Sequence, residues 1–522
     1  MDRPAMEAQG PPQQREGDDA ELEDGRLDAE LRRTSEQIQS LLARELARVE
    51  AATGATTSTS TSLTTTVAAS AKEAADATEA ALVALSLVES LVALEELCAE
   101  VEQHAQSRNL ESAVPSAVPS LRAATATWKG AAPARQRLRS FQGPDLQRLR
   151  KLVRAGDERI SRATSTLRAA LVARMRVTLT TNGWPPQLAS GEGETSQSSL
   201  EETFVSFFRR LDKTELATIQ WCYAWLVAAQ SAALADVDSD GGIDDWAASV
   251  IVKPIEERLE ALFADEGSPA AAVDRIDWPL EMGKRVASAL SRVGAPNEPL
   301  TATLGDESAG SVPPSVALVR LAARAVCNVV TRHHIRALVE RGDGALWLAA
   351  ADECAAFDRH VAELLCTSHP SGEDVMEYTL SQLRCGGVDA ADTASQLVHT
   401  HGVGITESAL AQNGAAFEAW VSAEVSDAVA RLGDAMKESK AAWEVTFAQI
   451  ARECCDRATC LATPEHRAAM LNKSLDALCS AFHKQLKAKS GADSAPLVLA
   501  ATRGAEAALL ELSASAPALV YN

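Results

Sequence analysis

Residues 236–247, DVDSDGGIDDWA, hold the densest array of metal-type ligands in this 522-residue chain. Asp stands at loop positions one, three and five, Gly at six, Ile at eight and Asp at nine, which is most of an EF-hand calcium loop. The twelfth position, which should supply a bidentate Glu, is Ala247. The loop also stands alone, whereas EF-hands pair, so an acidic turn between helices is the expectation and calcium binding the lesser alternative. His333 and His334 are adjacent, and neighbours on a helix point to different sides, so they make a poor chelate. The ten cysteines (98, 222, 327, 354, 366, 385, 454, 455, 460 and 479) include no CxxC pair. Neither a zinc site nor a disulfide framework is indicated, and they read as reduced, small, buried residues of a cytosolic protein. There is no Walker loop, GxSxG, HExxH or GxGxxG. The expectation is a protein without catalytic residues, cofactor or metal.

Charge sets the next bound. A net charge of −22 argues against a general nucleic-acid binder, because phosphate contacts need a basic surface. One local exception is residues 135–154, RQRLRSFQGPDLQRLRKLVR, with Asp145 as its single acid. It reads either as a contact for anionic lipid or an acidic partner, or as the solvated face of two helices. The N-terminal MDRPAMEAQGPPQQREGDD has no apolar signal-peptide core. The longest apolar stretches, such as ALVALSLV from Ala81, fall short of the roughly 18 residues of a spanning helix. Any membrane contact is expected to be peripheral.

Ala, Leu, Glu and Arg dominate, and Val/Ile-rich alternating runs are scarce, which predicts an all-α fold. The length suits several domains or one long helical rod. Residues 1–20 are Pro, Gln and acid rich and are expected to be disordered. Residues 21–66 comprise an amphipathic or coiled-coil helix, with Leu27, Leu31, Ile38, Leu42, Leu46 and Val49 at helical spacing, and a Ser/Thr linker. That helix must bury its face against a partner helix or its own core.

Residues 67–190 form an N-terminal helical region. It starts with a long helix striped by Leu87, Leu91, Leu94, Leu97 and Val101, and a break at 107–109 predicts an αα-hairpin. Pro115 and Pro119 are expected to punctuate the chain, and NGWPP at 182–186 to stop a helix, with Trp184 plugging its end. Residues 191–300 form a central bundle around the junction 246–290, in which Pro254 is expected to start or kink a helix. Residues 301–522 form a C-terminal helical region, with long patterns at 415–443, 448–489 and 497–512.

Four ordered segments resemble the RINT/TIP family of vesicle-tethering subunits, of the Dsl-type complex of the endoplasmic reticulum, including the plant MAG proteins. They are LVESLVALEELCAEVEQHAQSRNLESAV (87–114), the helix ending in NGWPPQL (182–188), WAASVIVKPIEERLEALF followed by DRIDWPL (246–280), and LWLAAADECAAFDRHVAEL (346–364). In the third, Asp277 stands where the family has Glu, and Pro279 follows the Trp. Residues after about 445 match poorly, so the family's SNARE-binding C-terminal part is expected to be truncated or diverged.

The resemblance implies an elongated rod of stacked helical bundles preceded by an N-terminal helix. It implies a non-enzymatic subunit in retrograde Golgi-to-ER transport. The subunit would be cytoplasmic and peripheral to the endoplasmic reticulum membrane. It would bind a ZW-ten/Dsl-like subunit through Leu27, Leu31, Ile38, Leu42, Leu46 and Val49, an NBAS/Sec-like tether subunit, and ER SNAREs. An exocyst- or COG-type subunit is the alternative.

Overall fold

The structure, a computed structural model, describes residues 61–140, 144–186, 197–234, 245–264, 274–296, 298–301, 312–368, 388–438 and 443–489, together with 40, 272, 383, 502–507 and 509–510. Every regular element among them is a helix, so the fold class is all-α. The chain divides into two compact units. One comprises Met1–Ala170 with Ala228–Asp236, the other Leu171–Val227 with Val237–Asn522.

The first unit is built on a hairpin of α1 (Thr61–Ala105) and α2 (Leu110–Gly130), joined at Ser107–Asn109 as the sequence predicts. Ser107 closes the break: its N–H donates to the His104 carbonyl at 3.2 Å and its hydroxyl accepts from the Asn109 N–H at 3.3 Å. The buried stripe of α1 is Leu87, Leu91, Leu94, Cys98 and Val101, with Leu97 only half-buried. Cys98 therefore takes the place expected of Leu97. The helix begins at Thr61, so Thr61–Thr66 of the expected Ser/Thr linker is helical.

Pro115 and Pro119 do not punctuate the chain; both lie inside α2. They sit four residues apart on its exposed face, and their missing N–H groups leave carbonyls that water can reach. The opposite face buries Val114, Val118 and Leu121 against α1. At about 1.5–3 kcal/mol for each such side chain, that burial offsets two prolines at about 3 kcal/mol each. Helix α3 (Ala132–Ser140) and α4 (Pro144–Thr181) follow, and α4 contributes to this unit as far as Ala170.

In the second unit α4 ends as expected. Gly183 takes φ 84°, and the Trp184 N–H donates to the Leu179 carbonyl at 3.0 Å. The Trp184 ring is buried against Phe204, Phe207 and Phe208 of α5 (Gln197–Arg210), and its Nε1–H donates to the Ile251 carbonyl at 2.9 Å. This aromatic cluster is core.

Helix α6 (Lys213–Leu234) opens with a capping box, in which Asp212 accepts from the Thr214 and Glu215 N–H groups and Glu215 returns a bond to the Asp212 N–H. Helix α7 (Trp246–Ala264) runs unbroken through Pro254, so the proline neither starts nor ends it. Its start lies eight residues earlier, where Asp245 caps the Ala248 N–H at 2.8 Å.

Helices α8 (Asp277–Val293), α9 (Pro314–Val329) and α11 (Gly344–Thr367) pack on one another, with α7 against α9 and α5 against α8. Between α9 and α11 the chain passes through a π-helical segment, Val330–Ile335, and the short α10, Arg336–Arg341. Helix α11 also packs on α12 (Val388–Thr400) and α13 (Gly414–Glu438). A second π segment, Thr406–Ala411, follows α12.

The pattern expected at 448–489 is two helices, α14 (Trp443–Ala458) and α15 (Pro464–Lys489), broken at 459–463. Two buried carboxylates make these breaks possible. Asp358 of α11 accepts from the Ile405 and Thr406 N–H groups at 2.8 and 3.0 Å. Glu407 accepts from the Ala462 and Thr463 N–H groups, the Thr463 hydroxyl and His466 Nδ1, at 2.5 to 3.3 Å. Each carboxylate satisfies the orphan donors at the start of a distant helix.

Two helices, Ala74–Ala105 and Pro314–Arg341, are long and apolar enough to cross a membrane by length and composition, contrary to the sequence expectation. In the second, 61% of the apolar window is buried inside the protein, as in the core helix of a bundle.

Gly156 marks the closest approach in the first unit. A Cβ there would lie 2.6 Å from Trp128 Cη2 and 2.9 Å from Leu91 Cδ2. Gly to Ala within a helix ordinarily gains about 1 kcal/mol. Here the added methyl overpacks, at about 1–3 kcal/mol. Gly156→Ala is expected to lower stability in urea unfolding, and a gain would show that α4 can move away from Trp128.

Candidate interaction surface

The residues that position the most distinctive surface lie at the contact of α1 with α4. The inner face of α4 reads Leu152, Gly156, Arg159, Ala163 and Leu167, an apolar stripe interrupted by one arginine. Arg159 is 5% exposed. Its Nε donates to both Glu95 oxygens at 3.0 and 2.9 Å, and its Nη1 bonds Glu102. Burial works against the guanidinium charge, but Glu102 and Glu95 outweigh it and hold the Arg159 pKa above its usual value. The adjacent Cys98 thiol is pushed up to about 12, chiefly by burial.

A second polar tie lies nearby. Trp128 Nε1–H donates to Asp157 Oδ1 at 2.6 Å, Arg135 bonds the same oxygen at 3.2 Å, and its guanidinium stacks on the Trp128 ring at 4.6 Å. Arg137 reaches Glu79 at 3.4 Å.

These ties fix the rotation of α4 and so decide what it shows outward. Arg150, Lys151, Arg154 and Arg162 are exposed and Arg168 is half-exposed, all within a third of the helix circumference, with Glu158 among them. The row extends about 27 Å at 1.5 Å per residue. Helix α1 is the opposite, with eight carboxylates against Lys72. One unit thus carries an acidic helix and a basic helix side by side, within a chain of net charge −22. Of the basic run expected at 135–154, Arg150, Lys151 and Arg154 open this row, while Arg135 and Arg137 lie on α3 and pair with Asp157 and Glu79. That extension was legible in the Arg spacing along α4.

The other chemistry-bearing residues are placed as follows. Leu27, Leu31, Ile38, Leu42, Leu46 and Val49 lie outside the described residues, as does most of the acidic loop at 236–247. Of that loop, Asp245 serves as the N-cap of α7, and Ala247, at the twelfth position, is buried inside the helix. The Asp245 pKa is raised by burial, partly offset by the Ala248 N–H and Arg320. Among the described residues no group of three His, Cys, Asp or Glu side chains gathers as a metal site.

His333 and His334 diverge as expected: His333 Nε2 bonds Glu260 at 2.8 Å, while His334 is fully buried against Phe263. Neither His334 nitrogen has a hydrogen-bond partner among the described residues. Burial drops its pKa to about 4. The described cysteines are all free, and burial raises Cys454, Cys455 and Cys460 to about 12, 11 and 12, which makes them poor nucleophiles. Cys385 lies outside the described residues.

Asp358 is pushed up to about 6 by burial despite the bonds it accepts, and its capping role accounts for its position. A groove of about 410 Å³ between α14, α15 and residues 502–510 is lined chiefly by Phe447, Phe482, Leu486, Ala505 and Leu509.

Sequence reading missed the Arg159 cluster. Its signal was present: Glu95 and Glu102 stand seven residues apart on the rim of the α1 stripe, and Arg159 falls in phase with the apolar positions of α4.

Two outcomes are expected. Arg159→Ala strands two carboxylates and should cost about 3–5 kcal/mol, whereas Arg159→Met combined with Glu95→Gln and Glu102→Gln should recover most of it in urea melts. His334 has a folded pKa below its unfolded one, so its contribution is intact above about 6.5 and is lost as pH falls toward 4. Relative to His334→Leu, the native protein should lose about 3 kcal/mol of stability between pH 7 and pH 4; equal losses in both would show that His334 takes up its proton in the folded protein as readily as in the unfolded chain.

Compared with known proteins, the chain matches no family model, no curated protein and no solved structure.

Proposed function

We propose that this chain is a non-catalytic helical scaffold that acts by binding other macromolecules, and that it serves as a subunit of a vesicle-tethering complex. The observation that carries the scaffold reading is the exposed basic row of α4, on a helix whose rotation a buried ion cluster fixes. Fixed rows of charge steer association and set orientation rather than perform chemistry.

The tethering reading rests on the four ordered segments that resemble RINT/TIP subunits. On it, the chain acts in Golgi-to-ER traffic, peripherally at the endoplasmic reticulum membrane, with ZW-ten/Dsl-like and NBAS/Sec-like subunits and ER SNAREs as partners. Contacts held apart on one scaffold gain avidity without any single strong site. Leu27, Leu31, Ile38, Leu42, Leu46 and Val49 would form the partner-helix face.

The test is affinity capture from lysate with the intact chain and with a Leu31→Asp, Ile38→Asp, Leu42→Asp variant, read by mass spectrometry. Recovery of Dsl-type subunits or SNAREs by the intact chain, lost in the variant, is the expected outcome. Exocyst or COG subunits would keep a tether and change its membrane. Recovery of neither group would end the tethering reading.

A further inference from the structure

The groove between α14, α15 and residues 502–510 has walls suited to a small amphiphile. Phe447 and Phe482 are buried along it with ring centroids 4.8 Å apart. Leu486 and Ala505 are buried beside them, Leu509 is half-buried and Leu510 is exposed. We propose that this groove binds a long-chain primary amine, with the alkyl chain along Phe447, Phe482 and Leu509 and the ammonium on Glu506.

Three observations carry the inference. The first is size. A dry cavity of about 150 Å³ holds a benzene ring, so about 410 Å³ has room for a chain of about a dozen carbons. Sites for small molecules run from about 300 to 1,000 Å³. A protein partner would need about 20–30 residues on each side, and ten line this groove.

The second is the arrangement of polarity. Cys479, Phe482, His483 and Leu486 of α15 follow the spacing of one helix face, and Thr502, Ala505, Glu506 and Leu509 repeat it across the groove. On each helix the apolar residues are at least partly buried, while His483, Thr502 and Glu506 are exposed. The walls are therefore apolar and the rim is polar, as an alkyl chain with one polar head requires.

The third is charge. Glu506 is the one carboxylate lining the groove. It has no hydrogen bond or ion pair among the described residues, although Lys484 and Arg503 are exposed on the same two helices. Neither of those cations lines the groove. An ammonium brings Glu506 three donors and an opposite charge. The net charge of −22 draws such a cation in and repels a fatty-acid anion of the same length.

The site does not depend on the tethering reading, because it is measured on the isolated chain with a small molecule. The probe is dodecylamine, kept below its micelle concentration and titrated calorimetrically into the intact chain at pH 7, beside dodecanol and dodecanoate. Saturable binding of one amine per chain is expected, with dodecanoate about tenfold weaker. Glu506→Gln should weaken the amine about threefold and Glu506→Lys about tenfold, with dodecanol unchanged. Glu506 is exposed, so both variants should keep the native circular dichroism. Saturating amine should also slow labelling of Cys479 by N-ethylmaleimide and leave that of Cys327, which is outside the groove, as it was.

Failure of dodecylamine to bind overturns the proposal. So does tighter binding of dodecanoate, which would assign the groove to an anion. Binding that never saturates, that both Glu506 variants leave unchanged, or that does not protect Cys479 places the amine elsewhere on the acidic surface and overturns it as well.

Discussion

The first unit depends on one guanidinium placed where an apolar side chain would ordinarily sit. Arg159 falls in phase with Leu152, Ala163 and Leu167, so burying that stripe drags its charge into the contact with α1. An unpaired charge there would cost several kcal/mol. Glu95 and Glu102, one on each side of Cys98, remove the penalty by accepting three of its bonds. The consequence is directional. An apolar contact alone tolerates some rotation and sliding of one helix on another, but a guanidinium held by two carboxylates two turns apart does not. Gly156 adds a second constraint, since α4 comes so close to Trp128 and Leu91 that no Cβ fits. Together they fix which residues of α4 face outward, and those are Arg150, Lys151, Arg154 and Arg162.

The second unit uses buried charge for another purpose. Asp245, Asp358 and Glu407 each accept from backbone N–H groups at the start of a helix. A helix beginning inside a bundle leaves donors that water cannot reach, and a carboxylate with two oxygens satisfies two or more of them. This accounts for the perturbed carboxylates at these three positions. Burial pushes Asp358 up while the bonds from Ile405 and Thr406 pull it down, and the balance reflects packing. Perturbed pKa values gather at functional sites, but structural networks produce them as well. His334 belongs with these groups in its burial, although neither of its nitrogens is satisfied among the described residues.

Much of the helical organisation was legible in the sequence, because it depends on local signals. The break at 107–109, the stop at Gly183 with its Trp184 plug, and the divergence of His333 from His334 all follow from turn chemistry and helical period. The errors share a cause. Local pattern makes Pro115 and Pro119 punctuation and lets Pro254 start a helix, yet all three lie inside helices whose buried faces outweigh the local penalty. The 459–463 break was hidden because the signal that stabilises it, Glu407, stands about fifty residues away in sequence. The Arg159 cluster was hidden for the same reason: its partners lie 57 and 64 residues apart in the chain. Short-range pattern cannot show which distant carboxylate meets which arginine.

Charge segregation joins these threads. The cations of α4 are gathered on one face, while α1 beside it carries eight carboxylates. Two of those eight bond Arg159 and one bonds Arg137, which lie on α4 and α3. At physiological salt the Debye length is about 8 Å, shorter than the roughly 10–12 Å diameter of a helix. The outward faces of α1 and α4 are therefore largely screened from each other, and the basic face acts on whatever lies directly over it. Its occupant is selected locally, by anions held close to that face, and the net charge of the whole protein matters mainly to partners arriving from a distance.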